Sequence, residues 1–123
     1  MLKFLGILIG GGIGSLLRFF VTKSFEKLTF KSKHIGTFLV NVLGSFGLGV
    51  AYSYSTTKCS ILYQIIVIGL IASFTTFSAY EFDNLTLIAG QRYREFFKYA
   101  LGSCIVCLMF LYVGMIASKM IFD

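Results

Sequence analysis

Asn41, Ser45 and Gly49 stand four residues apart in a stretch that is otherwise aliphatic and aromatic. That spacing stacks them on one helix face. An amide in apolar sequence must find a partner: it bonds a neighbouring helix, or its NH₂ group donates to a passing anion. Further on, Ser73-Phe-Thr-Thr-Phe-Ser78 sets four hydroxyls and two phenylalanines inside an apolar run. Unwound backbone at membrane depth is tolerated only where it faces protein or a water-lined cavity, and broken helices build the ion sites of many transporters and channels. An intact helix would instead bond these hydroxyls back to its own carbonyls. The rings of Phe77 and Tyr80 can turn their positive edges toward an anion, or simply pack. Tyr99, Ser103 and Cys107 again step by four, giving a narrow polar track for a hydrated or partly stripped ion. Arg18 costs about 2.5 to 3.5 kcal/mol at mid-bilayer, so it either snorkels to the headgroups or fixes positive charge beside an anion route.

The elements that position these groups follow from composition. The chain has 123 residues, 57% hydrophobic and 13% charged, with a mean hydropathy of +0.86. This excludes a soluble enzyme and leaves no room for a second, soluble domain. Apolar stretches predict an all-α membrane protein, one domain of four transmembrane helices with short connections. The spans are expected at about residues 4–22, 35–54, 61–90 and 96–122, the third interrupted near 72–78. The aliphatic run from Ile61 to Ala72 reaches only about 18 Å as a helix, so the third span must continue through the hydroxyl-rich segment. Phe4 to Val21 lacks a small-residue cleavage site and reads as a retained span rather than a removable signal. Gly6, Gly10 and Gly14 share one face of it and predict close packing against another backbone. Glu81, Asp83 and Asn84 mark the approach of span three to a water-facing end, and Gln91 to Glu95 reads as a charged loop.

The net charge is +6, which on so apolar a chain points to loops facing the cytoplasm rather than to nucleic acid. Lys23, Lys27, Lys31, Lys33, Arg92, Arg94 and Lys98 fall on one side, against Lys3, Lys58 and Lys119 on the other. The positive-inside rule then predicts both termini outside and a single orientation. Cys59, Cys104 and Cys107 cannot all pair, and Cys104-x-x-Cys107 reads as an inert pair inside a helix; His34 reads as a loop or interface residue. Acidic residues are missing from the interior of the spans, which is adverse to a proton-coupled exporter of cationic drugs. Amide, hydroxyl and guanidinium donors favour an anion.

Gly11-Gly12-x-Gly14-x-x-x-Arg18, Gly36-Thr37-x-x-x-Asn41-x-x-Gly44-Ser45, and Gly69 followed by Thr75-Thr76-Phe77-Ser78 together resemble the Fluc/CrcB fluoride channels. The resemblance runs over all four spans. It implies a dual-topology-type dimer of two four-helix subunits inserted antiparallel, either with itself or with an oppositely oriented homologue. Two fluoride pores would follow the subunit interface, and a structural sodium ion, not transported, would lie at the centre. By the same resemblance Asn41 lines the pore, Phe77 begins the family's phenylalanine box, Arg18 ends the span-one motif, and Tyr99 and Ser103 match the polar track. Backbone carbonyls of Thr75 and Ala72 would hold the sodium. Ala72-Ser73 stand where the family usually has Gly-Gly, Tyr80 replaces the second phenylalanine, and Cys107 replaces a hydroxyl. The expected activity is passive fluoride export; the alternatives are a small proton-coupled multidrug exporter and a non-conducting partner subunit.

Overall fold

Inside a bilayer no water is present to bond the backbone, so an apolar chain closes its hydrogen bonds within helices. The computed structural model describes residues 1–28, 34–55 and 61–122, and these are helical apart from turns and one short interruption. Helix α1 spans Leu2–Leu28 and α2 spans Ile35–Ser55. Helix α3, Ile61–Gln64, runs into a π-helical segment, Ile65–Ile71, and then into α4, Ala72–Phe74. Helix α5, Phe77–Ala89, and α6, Tyr93–Phe122, complete the chain. Four stretches are long and apolar enough to cross a membrane: Lys3–Lys27, Ile35–Tyr52, Ile61–Ala89 and Tyr93–Ile121. The four-helix, all-α membrane architecture is the one the sequence predicts.

The bounds differ in detail. Helix α1 continues to Leu28 rather than ending near residue 22, because Lys23, Glu26 and Lys27 are good helix formers whose side chains stay exposed. Lys23 Nζ lies 5.0 Å from the ring centre of Phe19, one turn back. At the other end the charged loop shrinks to a tight turn. Gln91 takes φ 56, Arg92 N donates to Leu87 O and Gln91 N to Ile88 O, both at 2.9 Å; this pair of bonds closes a helix end by the Schellman pattern. Helix α6 can therefore start at Tyr93, with Arg92 Nε donating to Glu95 Oε1 at 2.8 Å on its exposed first turn. The expectations for Lys31, Lys33, Lys58 and Cys59 lie outside the described residues.

The glycine stripe of α1 packs where the period-four spacing places it. A Cβ at Gly10 would come 2.9 Å from Ile65 O, and one at Gly14 would collide with Leu70 O and stand 3.1 Å from Phe74 N. From the other side, a Cβ at Gly69 would lie 2.9 Å from Ile7 O. Only hydrogen at these positions lets α1 and the π segment approach backbone to backbone. In that segment Ala72 N donates to Val67 O, five residues back, the wider π turn. Helices α2 and α6 use the same device, since a Cβ at Gly49 would strike Leu111 O and one at Gly114 would strike Phe46 O.

Burial is inverted relative to a water-soluble domain. Among the described residues the buried apolar side chains are Val40, Val42 and Leu87, whereas Thr37, Thr76, Asn84, Ser103 and Ser118 are buried polar ones. Phe4, Leu8, Phe20, Leu108, Met109 and Ile116 point outward. Apolar atoms gain nothing by leaving lipid, so the interior of a membrane bundle goes to small and polar groups that need one another.

Candidate functional site

The helical ladder of the third span stops at Phe74 and resumes at Phe77. Between them Thr75 (φ −70, ψ 154) and Thr76 (φ −148, ψ 120) are extended. Side chains supply what the ladder gives up. Thr76 N donates to Asn41 Oδ1 at 2.9 Å, and Asn41 Nδ2 donates to Thr76 O at 3.0 Å. This two-way pair joins α2 to the interruption much as one strand joins another. Thr76 Oγ1 then caps α5 by accepting from Ala79 N at 3.2 Å, as N-cap hydroxyls do. Thr75 Oγ1 donates to Ile71 O at 3.1 Å. Gly44 makes room for this turn, since a Cβ there would collide with Thr75 Cγ2.

This substitution takes ladder donors away from carbonyls of the interrupted turn, those of Ala72 and Thr75 among them. In an unbroken helix Thr76 N–H would bond Ala72 O and Ala79 N–H would bond Thr75 O. Here those donors go to Asn41 Oδ1 and Thr76 Oγ1. Ala72 O keeps a long 3.4 Å bond from Thr75 Oγ1. Carbonyl oxygens released from a ladder are hard donors of the kind an alkali or alkaline-earth cation takes, so the residues present fit a small cation.

Beside the interruption lies a cavity of about 490 Å³, walled from α2 by Asn41 and Ser45, from the third span by Ala72, Thr75, Phe77 and Tyr80, and from α6 by Ser103 and Cys107. Ser103 is buried, and its Oγ has no hydrogen-bond partner among the described residues. Phe77 is 74% exposed, with its ring centre 5.8 Å from that of Tyr80. Tyr80 keeps its ring at the wall and sends its hydroxyl to Ala100 O at 3.1 Å, so the phenol that replaces a second phenylalanine serves as a tie to α6. Cys104 and Cys107 are free thiols, and both reach this wall. Of the two uses open to Asn41, bonding a neighbouring segment is realised. An amide NH₂ has two hydrogens, and the pair with Thr76 uses one.

Two expected site residues stand apart. Arg18 is half-buried on α1 and takes no part in the cavity wall. Tyr99 lies beyond the wall, but its ring centre is 5.6 Å from that of Tyr80, and with Ser103 it lines an adjoining recess. Tyr99 also leads to a cluster that sequence reasoning missed. Its hydroxyl donates to Asp83 Oδ2 at 3.1 Å, while His34 Nδ1 stands 3.3 Å from Asp83 Oδ1 and the His34 ring centre is 5.4 Å from that of Tyr99. Asn84 is buried and Asp83 half-buried on α5, which runs on to Ala89. The signal available was period: Tyr80, Asp83, Asn84 and Leu87 fall on one face of a helix.

Four apolar helices make this a multi-pass membrane protein, and three of its spans wall a largely apolar cavity into which an amide and several hydroxyls are set. Residues 5–115 match the family model described as CrcB-like protein, Camphor Resistance (CrcB). The chain belongs to that family. Among curated relatives it is 38% identical over 120 residues to the "Fluoride-specific ion channel FluC" of Helicobacter pylori (strain Shi470), covering 94% of this chain and 92% of that protein. It is 31% identical over 117 residues to the protein of the same name from Campylobacter lari, covering 94% and 96%. The Aquifex aeolicus protein of that name is 29% identical over 116 residues, covering 92% and 94%.

Proposed function

We propose that the chain is a subunit of a fluoride channel through which the ion leaves the cell by passive permeation, lowering intracellular fluoride and its toxicity. No bond is made or broken, and the protein is not an enzyme. The observation that carries this reading is the family match across nearly the whole chain to relatives named for fluoride. The site supports it chemically. Fluoride surrenders hydration only to strong donors held close, and the cavity offers the Ser103 hydroxyl, which has no other described partner, beside the Asn41 amide. The edges of Phe77 and Tyr80 carry partial positive charge. A buried hydroxyl without a partner costs about 1 to 3 kcal/mol, and an anion beside Ser103 offsets that cost.

The interruption at Thr75 and Thr76 serves, in this reading, as a functional break in the third span rather than a packing accident. The carbonyls of Ala72 and Thr75 would hold the structural sodium ion. When bound, that ion supplies fixed positive charge and pins the break, while Asn41 holds the turn open from α2. The subunit works as half of an antiparallel dimer. Its uneven positive loops favour a separately made, oppositely oriented homologue as the other half, with the homodimer as the alternative.

Fluoride efflux from liposomes tests the reading. Efflux from the chain alone supports the homodimer, and efflux that needs an oppositely oriented homologue supports the paired form. Efflux in neither case, or equal passage of chloride, overturns it. A proton-coupled exporter would be favoured by Asp83, which sits inside the third candidate span. That carboxylate is engaged by Tyr99 and lies beside His34, and pH-driven uptake of cationic dye is expected to be absent.

A further inference from the structure

The geometry of the cluster at the far end of the polar route bears on one donor of that route. Tyr99 has a single hydroxyl proton, and it points at Asp83 Oδ2. While it does, an approaching anion meets the lone pairs of the phenol oxygen and a negative carboxylate behind them. The other oxygen of the same carboxylate faces His34 Nδ1 at 3.3 Å. We propose that His34 and Asp83 are positioning residues that set whether the Tyr99 hydroxyl donates to Asp83 or to the passing anion, and that they thereby make anion passage rise with acidity.

This inference rests on the fluoride-route reading and adds a regulation to it. When His34 is neutral, the carboxylate carries its full charge and takes the Tyr99 proton. When the imidazole gains a proton, Nδ1–H becomes a charged donor to Oδ1, the pair becomes neutral overall, and the hold on the Tyr99 proton weakens. Both changes favour an anion at this end of the route. Continuity is present in the structure: Ser103 belongs both to the cavity and to the recess that Tyr99 lines, and the Tyr80 and Tyr99 rings are in contact.

Among the described residues the charged and titratable groups around His34 are few. From α5 comes Asp83. From α6 come Tyr99 and Glu95, which line a recess of about 190 Å³ with it, and Lys98 lines the neighbouring recess with Tyr99 and Glu95. Helix α1, packed on α2, carries Lys23, Glu26 and Lys27 near its end, all exposed. Glu95 is tied to Arg92, so Asp83 is the carboxylate that His34 addresses.

The test is fluoride efflux from liposomes carrying whichever assembly conducts, measured from about pH 8 to about pH 5.5, the window in which imidazoles change charge. Leak through protein-free liposomes is subtracted at each pH. The unmodified channel should speed up at least about five-fold across this range, the lower end of ordinary coupling between sites. His34→Gln should stay at the alkaline rate throughout, and Asp83→Asn should stay at the acid rate throughout. Two flat profiles at opposite levels are what a merely structural role would not give. His34→Gln retaining the acid response, or both variants slowing equally at every pH, overturns the relay and leaves the channel reading standing. No fluoride efflux from any form at any pH removes the channel reading and the relay with it.

Discussion

Asn41 connects the residue scale to function, because one side chain makes two bonds to the backbone where the helical ladder is interrupted. It is matched to Thr76 as donor to the carbonyl and acceptor from the N–H. Asn41→Asp keeps the acceptor, removes the donor, and sets a negative charge on the cavity wall. The Thr76 carbonyl then loses its Asn41 donor, which should lower stability by about 1 kcal/mol, read as thermal unfolding of the detergent-solubilised protein. Fluoride efflux should fall at least ten-fold, equivalent to about 1.4 kcal/mol on the barrier; efflux left untouched would remove Asn41 from the route. The importance of Asn41 was legible in the sequence because an amide in apolar surroundings must bond something. Its partner was not, since Thr76 lies 35 positions away and offers backbone rather than a side chain. Separation along the chain likewise hid the meeting of His34, Asp83 and Tyr99, each of which reads alone as an ordinary polar residue.

At the scale of elements, glycine spacing was the most readable feature. Gly6, Gly10 and Gly14 announce a face, and the structure fills it with the π segment. Neighbouring glycines provide an internal control. Gly14→Ala would press a methyl onto Leu70 O and should cost about 1 to 3 kcal/mol or more, since backbone cannot step aside. Gly12→Ala meets nothing within 4 Å and should be neutral or stabilising by up to about 1 kcal/mol, the helix-propensity gain. Thermal unfolding of the two variants side by side checks this; equal effects would mean that α1 does not approach the third span so closely. By contrast the π segment had no sequence signature. Ile65 to Ile71 is six aliphatics and a glycine, with no proline or polar residue to punctuate it, and only the demands of packing on α1 distinguish it from an α-helix. The hydroxyls drew attention to the stretch that follows, where Thr75 and Thr76 are extended opposite Asn41.

For the whole molecule, the exterior decides how the chain sits. Large apolar side chains point outward along the helices, so the bilayer fixes the surface, and by the positive-inside rule the uneven positive residues of the loops are expected to set the direction. A reporter that is active on one side of the membrane, attached after Asp123, should give signal only in the form that reads the outside. Equal signal on both sides would defeat the single orientation and favour the homodimer. The π segment also acts at this scale, as a phase adjuster between the two halves of the third span. Because its wider winding takes up one residue more than an α-helix would over the same sweep, forcing ordinary α winding on it with no residue removed would turn everything downstream by about 100°. Phe77 and Tyr80 would then swing away from the cavity while each kept its own helix intact. In this chain the angular setting of the channel wall is stored upstream of it, in the pitch of a seven-residue, purely greasy coil.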